Sequence, residues 1–207
     1  MSMTYKWWMP LYGVFFGIYI PREFQYLKGK VILHLADTPS TFYCAVRRLV
    51  HTLEPIYVIH TGDLADDVKL ELNPGDLQRY RRKLVELRSA ISPRENRKLV
   101  IVTGNHDDEM SVRDIFPDAM VFLGKGRIEI EGEEYNLSHD RNGLEGPPAR
   151  FNLFGHEPSG DETDDSHYFL NGVNAVHIIS PASGAVYCLP YPGYVNDGRL
   201  LRRKRGL

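Results

Sequence analysis

Cysteine is scarce in this sequence, with Cys44 and Cys188 as the only two among 207 residues. Two cysteines without a CxxC spacing are too few for a disulfide framework, which is typical of proteins from a reducing compartment. We therefore expect both to behave as small hydrophobic residues of the core.

Neither sign of charge is in excess, because 25 Lys and Arg residues are balanced by 27 Asp and Glu residues. This balance excludes a general attraction to nucleic acid or to an anionic membrane. Any selectivity for a substrate must then come from local features of a site.

Long apolar runs are also lacking. The most apolar segment, residues 7–20, contains Pro10, Gly13 and Gly17 and is shorter than the roughly 20 residues of a membrane-spanning helix. It lacks the basic start and small-residue cleavage site of a signal peptide. Its aromatic residues predict an added strand or hairpin that packs within the chain, or a patch covered by a partner or a second copy. We expect a cytoplasmic protein that does not bind membranes.

The composition is ordinary for a globular domain, with 43% hydrophobic and 25% charged residues. We predict one domain at residues 29–198. An aromatic-rich extension at residues 1–28 packs on it, and a basic tail at residues 199–207 follows it.

Hydrophobic periodicity predicts the elements of this domain. Three nearly continuous apolar segments are typical of buried strands, and they lie at residues 31–36, 56–60 and 99–102. Amphipathic helices are predicted between them, at residues 42–53 and 77–91. Short β segments follow, at 120–123, 127–130, 135–137, 151–154, 175–179 and 185–189, and the first three should form a mostly separate sheet. The order predicts an α/β sandwich with two facing sheets.

Polar side chains follow each of the first three strands. Asp37 ends the first, Asp63 and Asp66 follow the second, and Asn105 with His106 follows the third. Open α/β sheets place their ligand sites at such carboxyl ends, so these residues predict one site.

Five short motifs in this order carry a family resemblance. They are Asp37-Thr38-Pro39, GDLAD at 62–66, GNHD at 104–107, the isolated His139, and GHEP at 155–158. From about residue 29 to 190 the chain resembles the calcineurin-like metallophosphoesterases, of the small single-domain phosphodiesterase type. The resemblance implies a four-layer αββα sandwich with two facing mixed β-sheets.

The resemblance also implies roles for individual residues. The family's second metal position is matched by the donors Asp63, Asn105, His139 and His156, and Asp63 matches its bridging carboxylate. Asp37 matches a ligand of the first position, and His106 the imidazole that assists the leaving oxygen. Asp66 and Asp107 would orient His106 or the ligands. The implied activity is metal-dependent hydrolysis of a small phosphoester, and we expect a phosphodiester, by in-line attack of a metal-activated water on phosphorus.

Carboxylate, amide oxygen and imidazole donors suit hard divalent cations. We expect Mn²⁺, with Fe²⁺, Zn²⁺ and Mg²⁺ as alternatives. The sequence departs from the family at the first metal position, where Pro39 and Pro158 stand in place of histidines. That position keeps Asp37 and Asp63, unless Thr38, Ser40, Thr41 or Glu157 joins them, and Glu157 is the best replacement. One firm metal site is predicted, and the second stays open.

Two hypotheses follow from this departure. The protein is a hydrolase with one firm metal, or it is a degenerate scaffold of this fold that acts in protein interaction. The retention of His106 favours the hydrolase. A third hypothesis, nucleic-acid binding, would depend on the arginine-rich helix at 77–91 and on the tail, but a solvated basic face explains that helix more simply.

Overall fold

The computed structural model describes residues 12–13, 17–91, 97–164 and 166–199. Most of the predicted aromatic segment and all but the first residue of the predicted basic tail lie outside them. The described elements, in chain order, are β1 (Ile32–Leu35), α1 (Tyr43–Leu53), β2 (Tyr57–Thr61), α2 (Leu77–Ile91), β3 (Lys98–Thr103), α3 (Glu109–Ile115), β4 (Met120–Leu123), β5 (Lys125–Ile130), β6 (Glu133–Ser138), β7 (Phe151–Phe154), β8 (Glu162–Thr163), β9 (Tyr168–Asn171), β10 (Ala175–Ile179), β11 (Val186–Pro190) and α4 (Gly193–Gly198). Short 3₁₀ helices lie at Arg22–Leu27, Ser40–Phe42, Pro74–Asp76 and Arg141–Gly143.

The strands form two mixed sheets. The first sheet has the order β11-β10-β1-β2-β3-β4, and the second has the order β5-β6-β7-β9-β8. In the first sheet β1 to β4 run parallel, while β10 is antiparallel to β1 and to β11. In the second, β6, β7 and β9 run parallel and the outer strands are antiparallel. An α/β fold with two mixed sheets is thereby confirmed.

Strands of the first sheet are apolar on both faces because each face has its own core. Leu33 of β1 packs in the cluster that includes α1 and α2, whereas its neighbour Ile32 packs in the cluster between the two sheets. Val100 and Ile101 of β3 divide in the same way. Successive side chains of a strand point to opposite faces, so the continuous apolar segments of the sequence reflect a sheet covered on both sides.

The amphipathic helices α1 and α2 lie where the sequence predicts them. Their apolar residues join the first core, and the basic residues of α2 pair with acidic residues of the same chain. Arg79 lies near Asp67 and Asp76, and Arg81 contacts Asp114. These ion pairs support a solvated face rather than a nucleic-acid surface.

Four sequence-based expectations need correction. The strand at 120–123 pairs parallel with β3 and so belongs to the first sheet; a short strand does not specify its sheet. Cys44 and Cys188 are exposed instead of buried, because one lies on the outer side of α1 and the other on the edge strand β11. Residues 162–163 form the short strand β8, within an acidic segment, 161–165, for which the sequence alone predicts a loop or the start of a helix.

The fourth concerns Arg199, which was assigned to the basic tail. It is 2% exposed and donates from Nε to the carbonyl of Asp37 at 2.5 Å, and from Nη1 to the carbonyl of Val173 at 2.6 Å. At the other end of the domain, Ile18 is buried in the first core. Within the described part of the chain, no helix combines the length and hydropathy that a membrane span requires.

Candidate metal centre

Loops from both sheets meet at the candidate centre. Strands β1, β2 and β3 are parallel neighbours, so the residues after them share one edge of the first sheet. Strands β6 and β7 are parallel neighbours in the second sheet. They deliver the two histidines, since His139 follows β6 directly and His156 stands two residues after β7. The structure thus brings together all the predicted donors of the second metal position: Asp63, Asn105, His139 and His156.

His139 lies at the middle of this group. Its Nε2 is 3.0 Å from Oδ1 of Asn105, 3.1 Å from Nδ1 of His156 and 3.6 Å from Oδ2 of Asp63. Its Nδ1 is 2.9 Å from the carbonyl oxygen of Thr61. A carbonyl accepts only, so Nδ1 carries the proton, and in the neutral ring Nε2 presents a lone pair to the other donors.

The orientation of the Asn105 amide is fixed in the same way. Its Nδ2 donates to Oε2 of Glu71 at 2.5 Å, which leaves Oδ1 to face Nε2 of His139. With the ring neutral and its proton on Nδ1, Oδ1 of Asn105 and the lone pair of Nε2 face each other across 3.0 Å. Such a convergence of lone pairs is stabilised by a shared cation, and the donor set fits a hard or borderline divalent metal.

Two motif glycines make room for these donors. A Cβ on Gly62 would lie 2.2 Å from Nδ1 of His139, and one on Gly104 would lie 2.2 Å from Oδ1 of Asp63. Gly62 also has a φ of +99°, which other residues rarely adopt. The glycines of the GDLAD and GNHD motifs are therefore required by close approach of the side chains that they surround.

Three of the predicted ligands have a strained backbone. Asp37, Asp63 and His156 have φ values of 48°, 53° and 72°, in the left-handed region that residues other than glycine seldom occupy. Strain of this kind persists only where the surroundings determine the conformation, and it is concentrated at functional sites.

Asp107 fastens the loops after β2 and β3 to each other. Its carboxylate accepts from the backbone N–H groups of Asp63 at 2.8 Å, Leu64 at 2.9 Å and Gly104 at 2.8 Å, and from the hydroxyl of Tyr80 at 2.7 Å. These bonds use its oxygens to hold Asp63 in place. The expectation that Asp107 orients the ligands agrees with this geometry.

The carboxylates are crowded in a buried space. Asp37, Asp63 and Asp66 are 4%, 2% and 2% exposed. Burial raises the pKa of Asp37 to about 7, with the charge of Asp66 adding to the rise and the N–H of His156, Arg199 and Lys69 opposing it. Burial likewise raises the pKa of Asp63 well above its ordinary value. Buried carboxylates with raised pKa values mark a place where positive charge is needed.

His106 and Asp66 lie beside the donors. A ring nitrogen of His106 and carboxylate oxygens of Asp63 and Asp66 fall within 4.8 Å of one another. The backbone N–H of His106 donates to Oδ1 of Asp63 at 3.0 Å. The side chain of Asp66 accepts a hydrogen bond from Lys69. Burial, followed by the charge of Lys69, lowers the pKa of His106 to about 4.

Sequence reasoning missed Glu71 and Lys69. Glu71 holds the amide of Asn105, and its Oε2 lies 3.7 Å from Nδ1 of His106. Neither residue belongs to a motif of the resemblance, and both stand in the irregular segment after GDLAD. Only the fold that brings this segment back to His106 reveals them.

The first metal position is poorer in donors. Pro39 is buried at the start of the 3₁₀ helix Ser40–Phe42, while Glu157 and Pro158 are exposed. The hydroxyl of Thr38 bonds to Nε2 of His60 at 2.9 Å, and Ser40 bonds to Asp67. Asp37 does reach the centre, since its Oδ2 accepts the N–H of His156 at 3.0 Å.

Comparison with known proteins agrees with this architecture. A family model described as calcineurin-like phosphoesterase matches residues 30–193, and the chain belongs to that family. No match was found among curated proteins.

Solved structures resemble the chain at low identity. YfcE, a phosphoesterase from E. coli, is 13% identical over 78% of this chain and 98% of its own, with a TM-score of 0.46. Pseudomonas putida nuclease MPE is 17% identical over 76% of this chain and 87% of its own, with a TM-score of 0.41. A further solved chain is 11% identical over 78% of this chain and 98% of its own, with a TM-score of 0.55. At these identities the likeness concerns the fold alone.

Proposed function

We propose that this protein is a metal-dependent phosphoesterase that acts on small phosphodiesters. The observation that carries the proposal is the convergence of lone pairs at Nε2 of His139, which lies 3.0 Å from Oδ1 of Asn105. Asp63, Asn105, His139 and His156 would hold the ion, and Mn²⁺ is the ion that we propose. A divalent cation, when bound, polarises a phosphoryl oxygen and makes water a better nucleophile.

His106 is the residue that we assign to the leaving group. Its ring lies beside Asp63 and Asp66, and its lowered pKa keeps it neutral at pH 7. It would therefore act on the leaving oxygen as a hydrogen-bond donor rather than as a charged acid. Oε2 of Glu71 lies 3.7 Å from Nδ1 of His106, and we propose that Glu71 takes the orienting role that the resemblance implies for Asp66.

Charge from the chain itself supports a centre with one firm metal. Lys69 contacts Asp66 and is 19% exposed at its side chain, and the guanidinium of buried Arg199 lies against the backbone of Ala36 and Asp37. These two cations oppose the negative charge of Asp37 and Asp66 at the position where the histidines are lacking. They make a second ion less necessary for charge balance.

The space beside the donors suits a small substrate. A cleft of about 400 Å³ borders Asn105 and His139, and Leu123 and Lys125 also line it. This volume lies at the lower end of the range for small-molecule sites. The ammonium group of Lys125 lies at the rim and is paired with Glu145 at 2.6 Å, so a phosphate oxygen would contact it in place of that carboxylate.

Metal content and hydrolysis, measured on the same samples, test the proposal. Protein purified without chelator should contain about one equivalent of manganese per chain and hydrolyse a chromogenic phosphodiester in added Mn²⁺. Asp63→Asn should lose both properties, whereas Asp118→Asn, which changes a 78% exposed carboxylate, should lose neither. Turnover that Asp63→Asn leaves intact would assign the activity to a contaminant and contradict the proposal.

A scaffold without catalysis is the second candidate. The buried Pro39 and the exposed Pro158 favour it, since neither offers a donor to the first position. Absence of both bound metal and turnover in excess Mn²⁺ would support this candidate. The aromatic segment at residues 7–20 would then be the place to look for a protein partner.

A further inference from the structure

A second group of metal-binding side chains lies outside the candidate centre. Asp161, His177 and Cys188 place a carboxylate oxygen, a ring nitrogen and a sulfur within 4.8 Å of one another. His177 and Cys188 are directly opposite each other on the antiparallel strands β10 and β11. Cross-strand partners project from the same face of a sheet. Asp161 comes from the segment between β7 and β8, which belongs to the second sheet.

The distances in this group are close to those of a tetrahedral zinc site. Nε2 of His177 is 3.1 Å from Oδ2 of Asp161, and Sγ of Cys188 is 4.0 Å from the same oxygen. Ordinary zinc bond lengths in a tetrahedron place nitrogen and oxygen about 3.4 Å apart and sulfur and oxygen about 3.6 Å apart. Movements of about half an ångström would satisfy both distances, and exposed side chains such as Asp161 and Cys188 can make them.

The surroundings of His177 match those of a metal-bound imidazole. Its ring is fully buried, and its Nδ1 lies 3.1 Å from Nδ1 of His34, whose Nε2 lies 2.9 Å from the hydroxyl of Thr61. With Nε2 bound to a metal, Nδ1–H of His177 would donate to His34, and Nε2–H of His34 would donate to the Thr61 hydroxyl. Each of the three side chains in this series, His177, His34 and Thr61, then has a hydrogen-bond partner, and the ring of His177 is held in one orientation.

The carboxylate of Asp161 is also held in one orientation, by a hydrogen bond from the backbone. Oδ1 of Asp161 accepts the backbone N–H of Asn171 at 2.8 Å, which leaves Oδ2 directed toward His177 and Cys188. Asp161 and His177 are therefore positioned by bonds that do not use their metal-binding atoms, and Cys188 is placed by its pairing with His177 across β10 and β11. A fourth position would be open to water, because Asp161 and Cys188 are both exposed.

We propose that Asp161, His177 and Cys188 form a separate metal site, of the zinc type and outside the candidate centre, which fastens the segment between β7 and β8 to the first sheet. Thiolate, imidazole and carboxylate together select Zn²⁺ over Mn²⁺ or Mg²⁺, which prefer oxygen donors. The same segment begins with Gly155 and His156, so this site anchors the far end of a loop that serves the candidate centre. The proposal does not depend on phosphoesterase activity.

Cobalt substitution tests the site specifically. Co²⁺ coordinated by a thiolate shows a charge-transfer band in the near ultraviolet, and the donors of the candidate centre include no sulfur. We expect Co²⁺ added to the metal-free full chain in excess over both sites to produce this band, and Zn²⁺ to displace it. Cys188→Ser should lose the band, while Cys44→Ser, the matched change at the other exposed cysteine, should keep it.

Two further variants separate this site from the candidate centre. Asp161→Asn changes an exposed residue and should weaken Co²⁺ binding by about tenfold or more, judged by the midpoint of the band. Asp63→Asn should leave the band unchanged, whatever its effect on hydrolysis. A wild-type chain without the band at saturating Co²⁺, or a band that survives in folded Cys188→Ser, would overturn the proposal.

Discussion

The two halves of the candidate metal centre share Asp63 but differ in what surrounds it. On one side, Asn105 and His156 each come within about 3 Å of Nε2 of His139, and hydrogen bonds that Thr61 and Glu71 accept fix the atoms presented by His139 and Asn105. On the other side, prolines stand where the family resemblance implies histidines, and Asp37 and Asp66 lie near Lys69 and Arg199. The side that is poorer in donors is therefore the side that has cations from the chain itself.

The largest effect should come from removing a donor on the complete side. We expect His139→Ala to abolish stoichiometric manganese binding and to lower turnover by about a hundredfold or more, because it deletes the ring nitrogen at the middle of the group. Metal analysis and phosphodiester hydrolysis measure both. Glu157→Gln, an exposed change on the poor side, should alter neither by more than about twofold. Equal losses in the two variants would mean that Glu157 is a ligand and that the halves are alike.

Restoring histidines should make the two halves equivalent. In the double variant Pro39→His and Pro158→His, the manganese content should rise from about one to about two per chain, because imidazole donors would stand beside Asp37 and Asp63. Elemental analysis measures this, with single Pro158→His as the control, since Pro158 is exposed. An unchanged content in a folded double variant would show that Lys69 and Arg199 prevent the second ion from binding.

The charge of Asp37 should appear in the pH dependence of stability of the metal-free protein. Its folded-state pKa of about 7 lies above the ordinary 3.8, so the folded state binds more protons between these values, and its contribution to stability falls as pH rises through that window. Asp37→Asn removes the group that titrates, and with it this loss of stability at high pH. The variant should gain stability relative to wild type at pH 8 but not at pH 4, in urea unfolding with chelator present. Parallel curves at the two pH values would contradict the raised pKa.

The smallest effect concerns the side chain that positions His106 and Asn105. Glu71→Gln should lower kcat by about three- to tenfold and leave unfolding unchanged, because the side chain of Glu71 is 57% exposed. Its pH–rate profile should also shift relative to wild type, which a merely structural change would not produce. Glu86→Gln, the same substitution at an exposed residue of α2, provides the matched control. Unchanged kinetics in Glu71→Gln would show that Glu71 does not position His106 or Asn105 for the reaction.

The parts of the site that were predictable from sequence are those that depend on local order. A buried strand followed by a polar residue is visible in the sequence, and this pattern located Asp37, Asp63 and Asn105 correctly at one sheet edge. Lys69, Glu71 and Arg199 were not predictable, since their roles depend on segments that fold back from elsewhere. Periodicity likewise gave β4 its position but not its sheet, because pairing with β3 rather than β5 is decided by packing.

The meeting of the two sheets at the centre also has a consequence for how the chain is made. Asp37 and the backbone of His156 are hydrogen-bonded although 119 positions separate them, so the donors are complete only after most of the chain has left the ribosome. In a partly synthesised chain, Asp37 and Asp63 would be exposed before His139 and His156 have been synthesised. Contacts of such long range form late in folding, and metal uptake would then mark the final docking of one sheet on the other during biosynthesis.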